Sequence, residues 1–446
     1  MTADRRPTSP SDLATSEKDD ADTAGTSFYV LIIALAFLMN TVGRGVTETF
    51  AVFLLPVQNG LGATRAEILG TYSIFAVSYG LSAPFVGQLI DRLGVRTTYV
   101  FGLGVLGIGY TLAGSVTEPW QYYLAVGLGG GLGSAALGMI VASSILSRWF
   151  TRRIGSVISL PYAAVGAGML IVPPLAQLLL DAFGWRAAHR ILGLATLALI
   201  AIVVFLPLGR ITAGSAEWRA ARSNAANDSS QAPRWTVAAA LRTSAFWGLA
   251  SAYFWTSVAA YSVLPQSVAY LIERGFDPLF AASAFGMTGA LSTIGIIVVG
   301  QASDRFGRLP TVTISYLMTM TGTACLLLVG FWPSLVLVYG WVLFFGLVQG
   351  ARGPIIVSTL SKLFRGGAVG GIFGTLSIAM GAGQAGGAWV SGLLQQSTGD
   401  YRASFALGIM GSALGMASFW AVQNLRREDA VLASPAAPDT TPIARP

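Results

Sequence analysis

The stretch GQLIDRLGVR, residues 87–96, places one aspartate and two arginines in a chain that is otherwise strongly apolar. A second copy, GQASDRFGR, covers residues 300–308, 213 positions later. Two further pairs recur at nearly the same spacing: SRWFTRR at 147 with SKLFRGG at 361, and GWRAA at 184 with DYRAS at 400. Three near-constant offsets indicate that the chain consists of two parallel repeats.

The composition is that of a membrane protein. Of the 446 residues, 54% are hydrophobic and 11% charged, against about 25% charged in a typical soluble domain. The mean hydropathy is +0.65. A membrane-spanning helix needs roughly 20 mainly apolar residues. Twelve such segments are predicted, at 28–57, 66–89, 97–116, 119–147, 154–181, 187–208, 243–271, 278–302, 310–330, 334–361, 368–396 and 403–423.

These segments predict an all-α membrane protein of two pseudo-symmetric six-helix bundles. The N-terminal bundle is placed at 27–209, a cytoplasmic linker at 210–241 and the C-terminal bundle at 242–423. The polar residues 1–26 and the Pro- and Ala-rich residues 424–446 are expected to be disordered cytoplasmic tails. Parallel repeats of this kind are known from transporters in which two bundles rock around a central site.

The net charge of +7 reflects topology and is no sign of nucleic-acid binding. With both termini placed in the cytoplasm, 20 of the 27 lysines and arginines lie on the cytoplasmic side and five on the other side. This asymmetry follows the positive-inside rule. Two arginines remain within helices. The chain is therefore expected in a plasma (inner) membrane, with the lipid bilayer and no nucleic acid as partner.

The duplicated cassette is interpreted as a latch. Each copy lies at a short cytoplasmic turn, after segment 2 or segment 8. Asp91 and Asp304 can accept hydrogen bonds from arginines and helix N-termini across the bundle interface while the cavity faces outward. The alternative is that the cassette only caps tight turns. Its residues are Gly87, Asp91, Arg92, Gly94 and Arg96 in the first copy, and Gly300, Asp304, Arg305, Gly307 and Arg308 in the second.

The cassette resembles the loop motif G-x-x-x-D-R-x-G-x-R of the major facilitator superfamily, over a body of about residues 28–423. Three stretches resemble its monocarboxylate porter group: GRGVTETFAVFLLPV from 43, SRWFTRRIGSVIS from 147 and GWRAAHRILG from 184. The resemblance implies that segments 1, 4, 7 and 10 line a central cavity. It also implies transport of small organic acids, commonly with a proton, while some bacterial relatives exchange one carboxylate for another.

Ionisable residues within membrane segments are costly, so each is a candidate for function. Arg44 and Glu48 lie four residues apart on one helix face and can pair. An arginine can hold a carboxylate with two parallel hydrogen bonds. Glu48 is the candidate proton carrier, because desolvation favours the neutral form of a carboxyl group. The alternative is that Glu48 only neutralises Arg44.

Arg352, in the setting GARGP, is predicted to face the same cavity from segment 10, so that one anion would bridge the two bundles. Alternatively, it is a structural arginine that reaches the cytoplasmic side. Tyr261 and Gln266 on segment 7, Tyr162 on segment 5 and Gln349 on segment 10 are further candidates for substrate contact.

The chain departs from the porter group in segment 8. Aligned on Gly300, Ser292 and Ile296 stand where animal members carry an aspartate and an arginine. The single histidine, His189, is expected at the surface, and no metal or cofactor is predicted.

The leading hypothesis is a secondary transporter, and no enzyme, for a small monocarboxylate-like anion. It is expected to be proton-coupled and monomeric, and to work by alternating access. A carboxylate exchanger, an efflux pump for amphipathic compounds and a transport-inactive sensor are the alternatives. No P-loop is present, so a proton or counter-substrate gradient is the expected energy source.

Overall fold

The computed structural model describes residues 10–149, 154–205, 235–364 and 369–422, and all regular elements within these ranges are helical. The first half contains α1 (Pro10–Glu48), α2 (Phe50–Leu61), α3 (Arg65–Ala113), α4 (Pro119–Tyr122), a π-helix (Tyr123–Leu128), α5 (Gly129–Leu137), α6 (Met139–Trp149) and α7 (Ile154–Phe205). The second half contains α8 (Val237–Leu241), α9 (Ser244–Tyr261), α10 (Leu264–Glu273), α11 (Pro278–Phe306), α12 (Arg308–Val329), α13 (Leu335–Gln349), α14 (Arg352–Leu363), α15 (Val369–Thr398) and α16 (Arg402–Ala421).

In the part of the chain that the structure describes, eight helical stretches are long and apolar enough to cross a membrane: Phe28–Leu61, Arg65–Ala113, Pro119–Leu146, Pro161–Phe205, Pro278–Phe306, Arg308–Val329, Leu335–Leu363 and Arg402–Ala421. Two of them, of 49 and 45 residues, each contain two predicted segments. The eight therefore account for ten of the twelve. The predicted segments 243–271 and 368–396 are helical but are not among the eight.

Glycines with positive φ mark the repeat more clearly than the sequence motifs do. Within the described residues they form three pairs: Gly62 with Gly275, Gly94 with Gly307, and Gly184 with Gly399. The spacings are 213, 213 and 215 residues. Gly94 (φ 80°) and Gly184 (φ 76°) interrupt α3 and α7, where each continuous helix would otherwise run far beyond the thickness of a bilayer. Only glycine adopts this backbone without strain.

Two predicted segments in each half are broken at matching positions. Segment 1 breaks at Thr49, between α1 and α2, and segment 7 breaks between α9 and α10 at residues 262–263. Segment 4 breaks at Gly138 and segment 10 at residues 350–351. At the first break the Thr49 hydroxyl donates to the Val46 carbonyl at 2.6 Å, a local bond that competes with continued helix. All four breaks therefore fall in the segments expected to line the cavity.

One buried hydrophobic cluster lies mostly in the first half and one wholly in the second, and a third joins residues of both halves, such as Met169 and Phe285. Across the interface, α3 packs against α15, α7 against α11, and α2 against α10. Small residues allow these approaches: a Cβ atom on Gly286 would lie 2.7 Å from the Met169 carbonyl oxygen. The two bundles are therefore joined by close helix crossings that contain few polar contacts.

The helix α1 begins at Pro10, ahead of the first predicted membrane segment. One expectation needs correction. His189 is fully buried, not at the surface. Its Nδ1 donates to the Trp185 carbonyl at 2.9 Å, its Nε2 lies 3.2 Å from the Tyr122 hydroxyl, and its ring centre lies 3.8 Å from that of Phe53.

Residues 1–9, 206–234 and 423–446 lie outside the described residues, so the structure does not describe most of the predicted linker or the C-terminal tail.

Candidate functional site

A cavity of about 200 Å³ lies between the two halves. It is lined from the first half by Arg44, Tyr162, Val165, Gly166 and Met169, and from the second half by Ala260, Tyr261, Gly289, Ser292, Thr293, Ile296, Gln349 and Gly350. Arg44 is the one charged side chain among these lining residues. The cavity therefore combines a single cation with hydroxyl, amide and apolar groups from both bundles.

Arg44 connects the two halves directly. Its Nη2 atom donates to the Tyr261 hydroxyl of the second half at 3.0 Å. The same nitrogen lies 2.5 Å from Glu48 Oε1. Its Nε is buried and has no hydrogen-bond partner among the described residues. A buried guanidinium donor without a partner is costly, and an anion in the cavity would supply one.

Glu48 lies behind Arg44 and does not line the cavity. Its side chain is 5% exposed, and its Oε1 also receives the Tyr72 hydroxyl at 3.5 Å. The spacing of four residues thus predicted the pair correctly.

Three of the other predicted contact residues line the cavity: Tyr162, Tyr261 and Gln349. Gln349 Oε1 is buried and has no hydrogen-bond partner in the described part of the chain, so it is available to a ligand donor. Tyr162 is 37% exposed. The cavity brings together side chains from α1, α7, α9, α11 and α13.

The other two predicted contact residues, Arg352 and Gln266, lie elsewhere. Arg352 is 1% exposed, and its guanidinium carbon lies 4.5 Å from the centre of the Tyr316 ring on α12. Its Nη1 donates to the Ser315 carbonyl at 3.4 Å, while Nε and Nη2 have no partner among the described residues. Gln266 is fully buried and donates to Ser391 at 2.8 Å. Neither side chain reaches the cavity in this structure.

The bundles are closed at the end where α3 begins. Arg65 Nη2 lies 2.6 Å from Glu273 Oε1, an ion pair between the two halves. Arg65 is 3% exposed, and its guanidinium carbon is 5.6 Å from the Tyr401 ring centre. Burial raises the pKa of the Tyr401 phenol, so this ring is neutral. Sequence reasoning missed this contact, because residues 208 positions apart share no local pattern.

Toward the opposite end, which carries the two cassettes, α3 and α15 diverge. Gly374, Gly381 and Gly392 lie 7 and 11 residues apart, so they share one face of α15. A Cβ on Gly392 would lie 2.8 Å from Leu69, and one on Gly381 would lie 3.8 Å from the Ala76 carbonyl oxygen. A Cβ on Gly374 would have no neighbour within 4 Å. The interface therefore loosens toward the cassette end.

A larger groove of about 560 Å³ opens on the outer face between α3 and the π-helix. No charged side chain lines it, and several of its walls, such as Leu112 and Trp120, are more than half exposed. It has neither the charge nor the position between bundles that the Arg44 cavity has.

Comparison with known proteins fits this geometry. Residues 29–376 match the family model described as Major Facilitator Superfamily. The chain belongs to this superfamily. It is 27% identical to monocarboxylate transporter 13 of Rattus norvegicus over 380 residues, which covers 84% of this chain and 85% of that protein. It is 24% identical to the oxalate:formate antiporter of Oxalobacter formigenes over 305 residues, 66% of this chain and 67% of that protein.

Among solved structures, a bacterial homologue of the human lysosomal transporter Spinster, in an inward-facing and occupied conformation, superimposes with a TM-score of 0.68. The match covers 90% of this chain and 98% of that chain at 14% identity. This likeness establishes the fold.

Two cassette residues contact side chains of their own bundle. Arg148 Nη2 donates to Asp91 at 3.2 Å, and Asp91 is 67% exposed. Arg308 Nη1 donates to Thr359 at 3.3 Å. Among the described residues Asp304 has no contact with the other bundle. The latch across the interface, expected while the cavity faces outward, therefore stays a prediction for another conformation.

The departure in segment 8 falls on the cavity wall. Both Ser292 and Ile296 line the cavity, at the positions aligned with the charged pair of the porter group. The signal for these two residues was present in the sequence. The sequence alone did not predict that both residues would line the same cavity as Arg44.

Proposed function

We propose that this chain is a secondary transporter that carries a small organic monoanion together with a proton. The observation that supports it is the position of Arg44: in the cavity, bonded to Tyr261 of the other bundle and paired with Glu48. The names of the relatives, which include monocarboxylate and oxalate:formate transporters, agree with an anionic substrate.

The proton follows from charge balance in a medium of low dielectric. The empty site holds one arginine cation and one carboxylate, so it is neutral. A carboxylate substrate that binds Arg44 would leave a net charge of −1 unless Glu48 takes up a proton. Isolated charges buried within a membrane protein are costly. Protonation of Glu48 also frees Arg44 to hold the substrate, so binding of anion and proton favour each other.

The proposed movement of the two bundles is based on the difference between the two ends of their interface. The Arg65–Glu273 pair closes one end, and the interface loosens toward the cassette end. The positive-inside rule places the cassette end in the cytoplasm. In this orientation the cavity faces inward, and rocking would separate Arg65 from Glu273 while the cassettes meet across the interface. A second anion contact from Arg352 would require it to leave Tyr316 during this movement.

The test is uptake of labelled small carboxylates into proteoliposomes with an inward proton gradient, corrected by protein-free liposomes. Wild type is compared with Arg44→Gln. The matched control is Arg190→Gln, an exposed arginine of the same bundle that donates to Ser115. Loss of a buried charged partner costs about 2–5 kcal/mol, so we expect Arg44→Gln to lower uptake by at least about 30-fold. Arg190→Gln should transport like wild type.

If uptake requires an internal carboxylate and does not depend on the proton gradient, the protein is a carboxylate exchanger and not a proton symporter. Transport of amphipathic cations with no carboxylate uptake, or full activity of Arg44→Gln, would contradict the anion site.

A further inference from the structure

The size and lining of the Arg44 cavity define its substrate more closely. We propose that the site takes a monocarboxylate whose apolar part has the size of a six-membered ring, such as an aromatic or alicyclic acid. This inference rests on the proposed function. It goes beyond it because a two- or three-carbon acid would satisfy the charge argument equally well.

The volume favours a ring-sized substrate. A dry apolar cavity of about 150 Å³ is known to hold benzene. The Arg44 cavity, at about 200 Å³, has that room and leaves about 50 Å³ for a carboxylate beside Arg44. A two-carbon acid would fill a small part of it. Water would fill the remaining space beside apolar side chains. A small acid would therefore lack the favourable free energy that comes from burying an apolar group there.

The lining contains both polar and apolar side chains. Arg44 is the one cation among the described lining residues and Gln349 the one amide, and hydroxyls come from Tyr162, Tyr261, Ser292 and Thr293. Val165, Met169 and Ile296 add aliphatic and thioether groups, and a thioether contacts aromatic rings favourably. With no second cation on the wall, a second carboxylate would have no partner. The lining thus fits a molecule with one charged end and an apolar body, and it disfavours a dicarboxylate.

The test measures equilibrium binding to the purified full chain by calorimetry, which avoids passive leakage of apolar acids through liposomes. The probes are benzoate, cyclohexanecarboxylate, acetate and oxalate. A single methylene in an apolar pocket changes affinity about 10–200-fold, so we expect the two ring acids to bind at least about tenfold more tightly than acetate or oxalate.

The variant that tests the wall is Ile296→Trp, which fills part of the cavity. Its matched control is Ile294→Trp, two residues away on α11 but 53% exposed and outside the cavity. Overpacking costs about 1–3 kcal/mol, so we expect Ile296→Trp to weaken benzoate binding about tenfold with little effect on acetate. Val165→Phe, on the opposing bundle, repeats the test if Ile296→Trp does not fold.

If acetate or oxalate binds as tightly as benzoate, and Arg44→Gln binds none of these acids, the proposal of a ring-sized substrate is wrong and the anion site at Arg44 is retained. Equal loss of benzoate and acetate binding in Ile296→Trp would also overturn that proposal. Absence of binding by any carboxylate, or binding unchanged in Arg44→Gln, would overturn the proposed function as well.

Discussion

At the scale of single residues, the pair Arg44–Glu48 and the lone Arg352 illustrate what spacing can and cannot predict. Arg44 and Glu48 are one helical turn apart, so their contact follows from helix geometry alone. The direction of the Arg352 side chain does not follow from helix geometry. Arg352 begins α14 directly after the break at residues 350–351, and a broken helix no longer fixes which face a side chain shares with its neighbours.

We predict that Glu48→Gln uncouples transport from the proton. A glutamine resembles the protonated acid, so the loaded site stays neutral, whereas the empty site carries an unpaired arginine cation. The empty carrier should then return slowly. Exchange of internal for external substrate should persist while accumulation driven by a proton gradient is lost. Counterflow and net uptake in proteoliposomes measure the two modes. Gradient-driven accumulation at the wild-type level would show that Glu48 only neutralises Arg44.

We predict that Arg352→Met keeps transport and does not lower thermal stability. Arg352 is buried against Tyr316, and no carboxylate of the described residues pairs with it. Replacement of a buried charged group by an apolar one is often neutral or stabilising. Uptake assays and the melting temperature of the purified protein check this. A stable Arg352→Met variant that binds no substrate would instead support the second anion contact predicted from the sequence.

At the scale of helices, apolar runs and turns were predictable and breaks were not. Length and hydropathy placed ten of the twelve segments within the long apolar helices of the described residues, because a chain in lipid must satisfy its backbone internally. The breaks near Thr49 and at residues 262–263 interrupt apolar runs that predict continuous helix. At the first break the Thr49 hydroxyl bonds to the Val46 carbonyl, and a threonine within an apolar run does not by itself predict such a bond.

We predict that the glycines of the first cassette differ in their contribution to stability. Gly94 has φ of 80°, so Gly94→Ala should destabilise the protein by about 1–2 kcal/mol. Gly87 is helical and a Cβ there meets no atom within 4 Å. Gly87→Ala should therefore be neutral or slightly stabilising. Thermal unfolding of both variants in the same detergent compares them, and equal destabilisation would contradict this assignment.

The Arg65–Glu273 pair should hold one end of the interface closed. Glu273→Gln leaves Arg65 buried without its carboxylate, which we expect to destabilise this closure by about 1–3 kcal/mol, since Glu273 is itself one-third exposed. Double electron–electron resonance between spin labels at Asn59→Cys and Gln396→Cys, in a Cys325→Ser background, should show longer distances. Asp400→Asn, which breaks the Arg402–Asp400 pair within one bundle, is the control. An unchanged distance distribution would exclude the pair as a gate.

At the scale of the whole molecule, the duplication is the feature that the sequence revealed best. Three motif pairs predicted two parallel repeats, and the paired positive-φ glycines follow the same spacing. The composition of the interface was not predictable in the same way. Cross-bundle contacts join residues that are far apart in the chain, 217 positions for Arg44 with Tyr261, so they depend on how two folded bundles meet.

The central claim is that the Arg44–Glu48 site is electrically neutral both when empty and when loaded with substrate and proton. The most direct test is to determine which force drives transport, the proton gradient or the membrane potential. The best-transported carboxylate is measured in proteoliposomes with either a proton gradient or a potassium diffusion potential alone. A moving unit charge would respond by about 2.3 kcal/mol per 100 mV. We predict accumulation driven by the proton gradient and an initial rate unchanged by the potential. A rate that rises or falls steeply with the potential would contradict one-to-one movement of proton and monoanion.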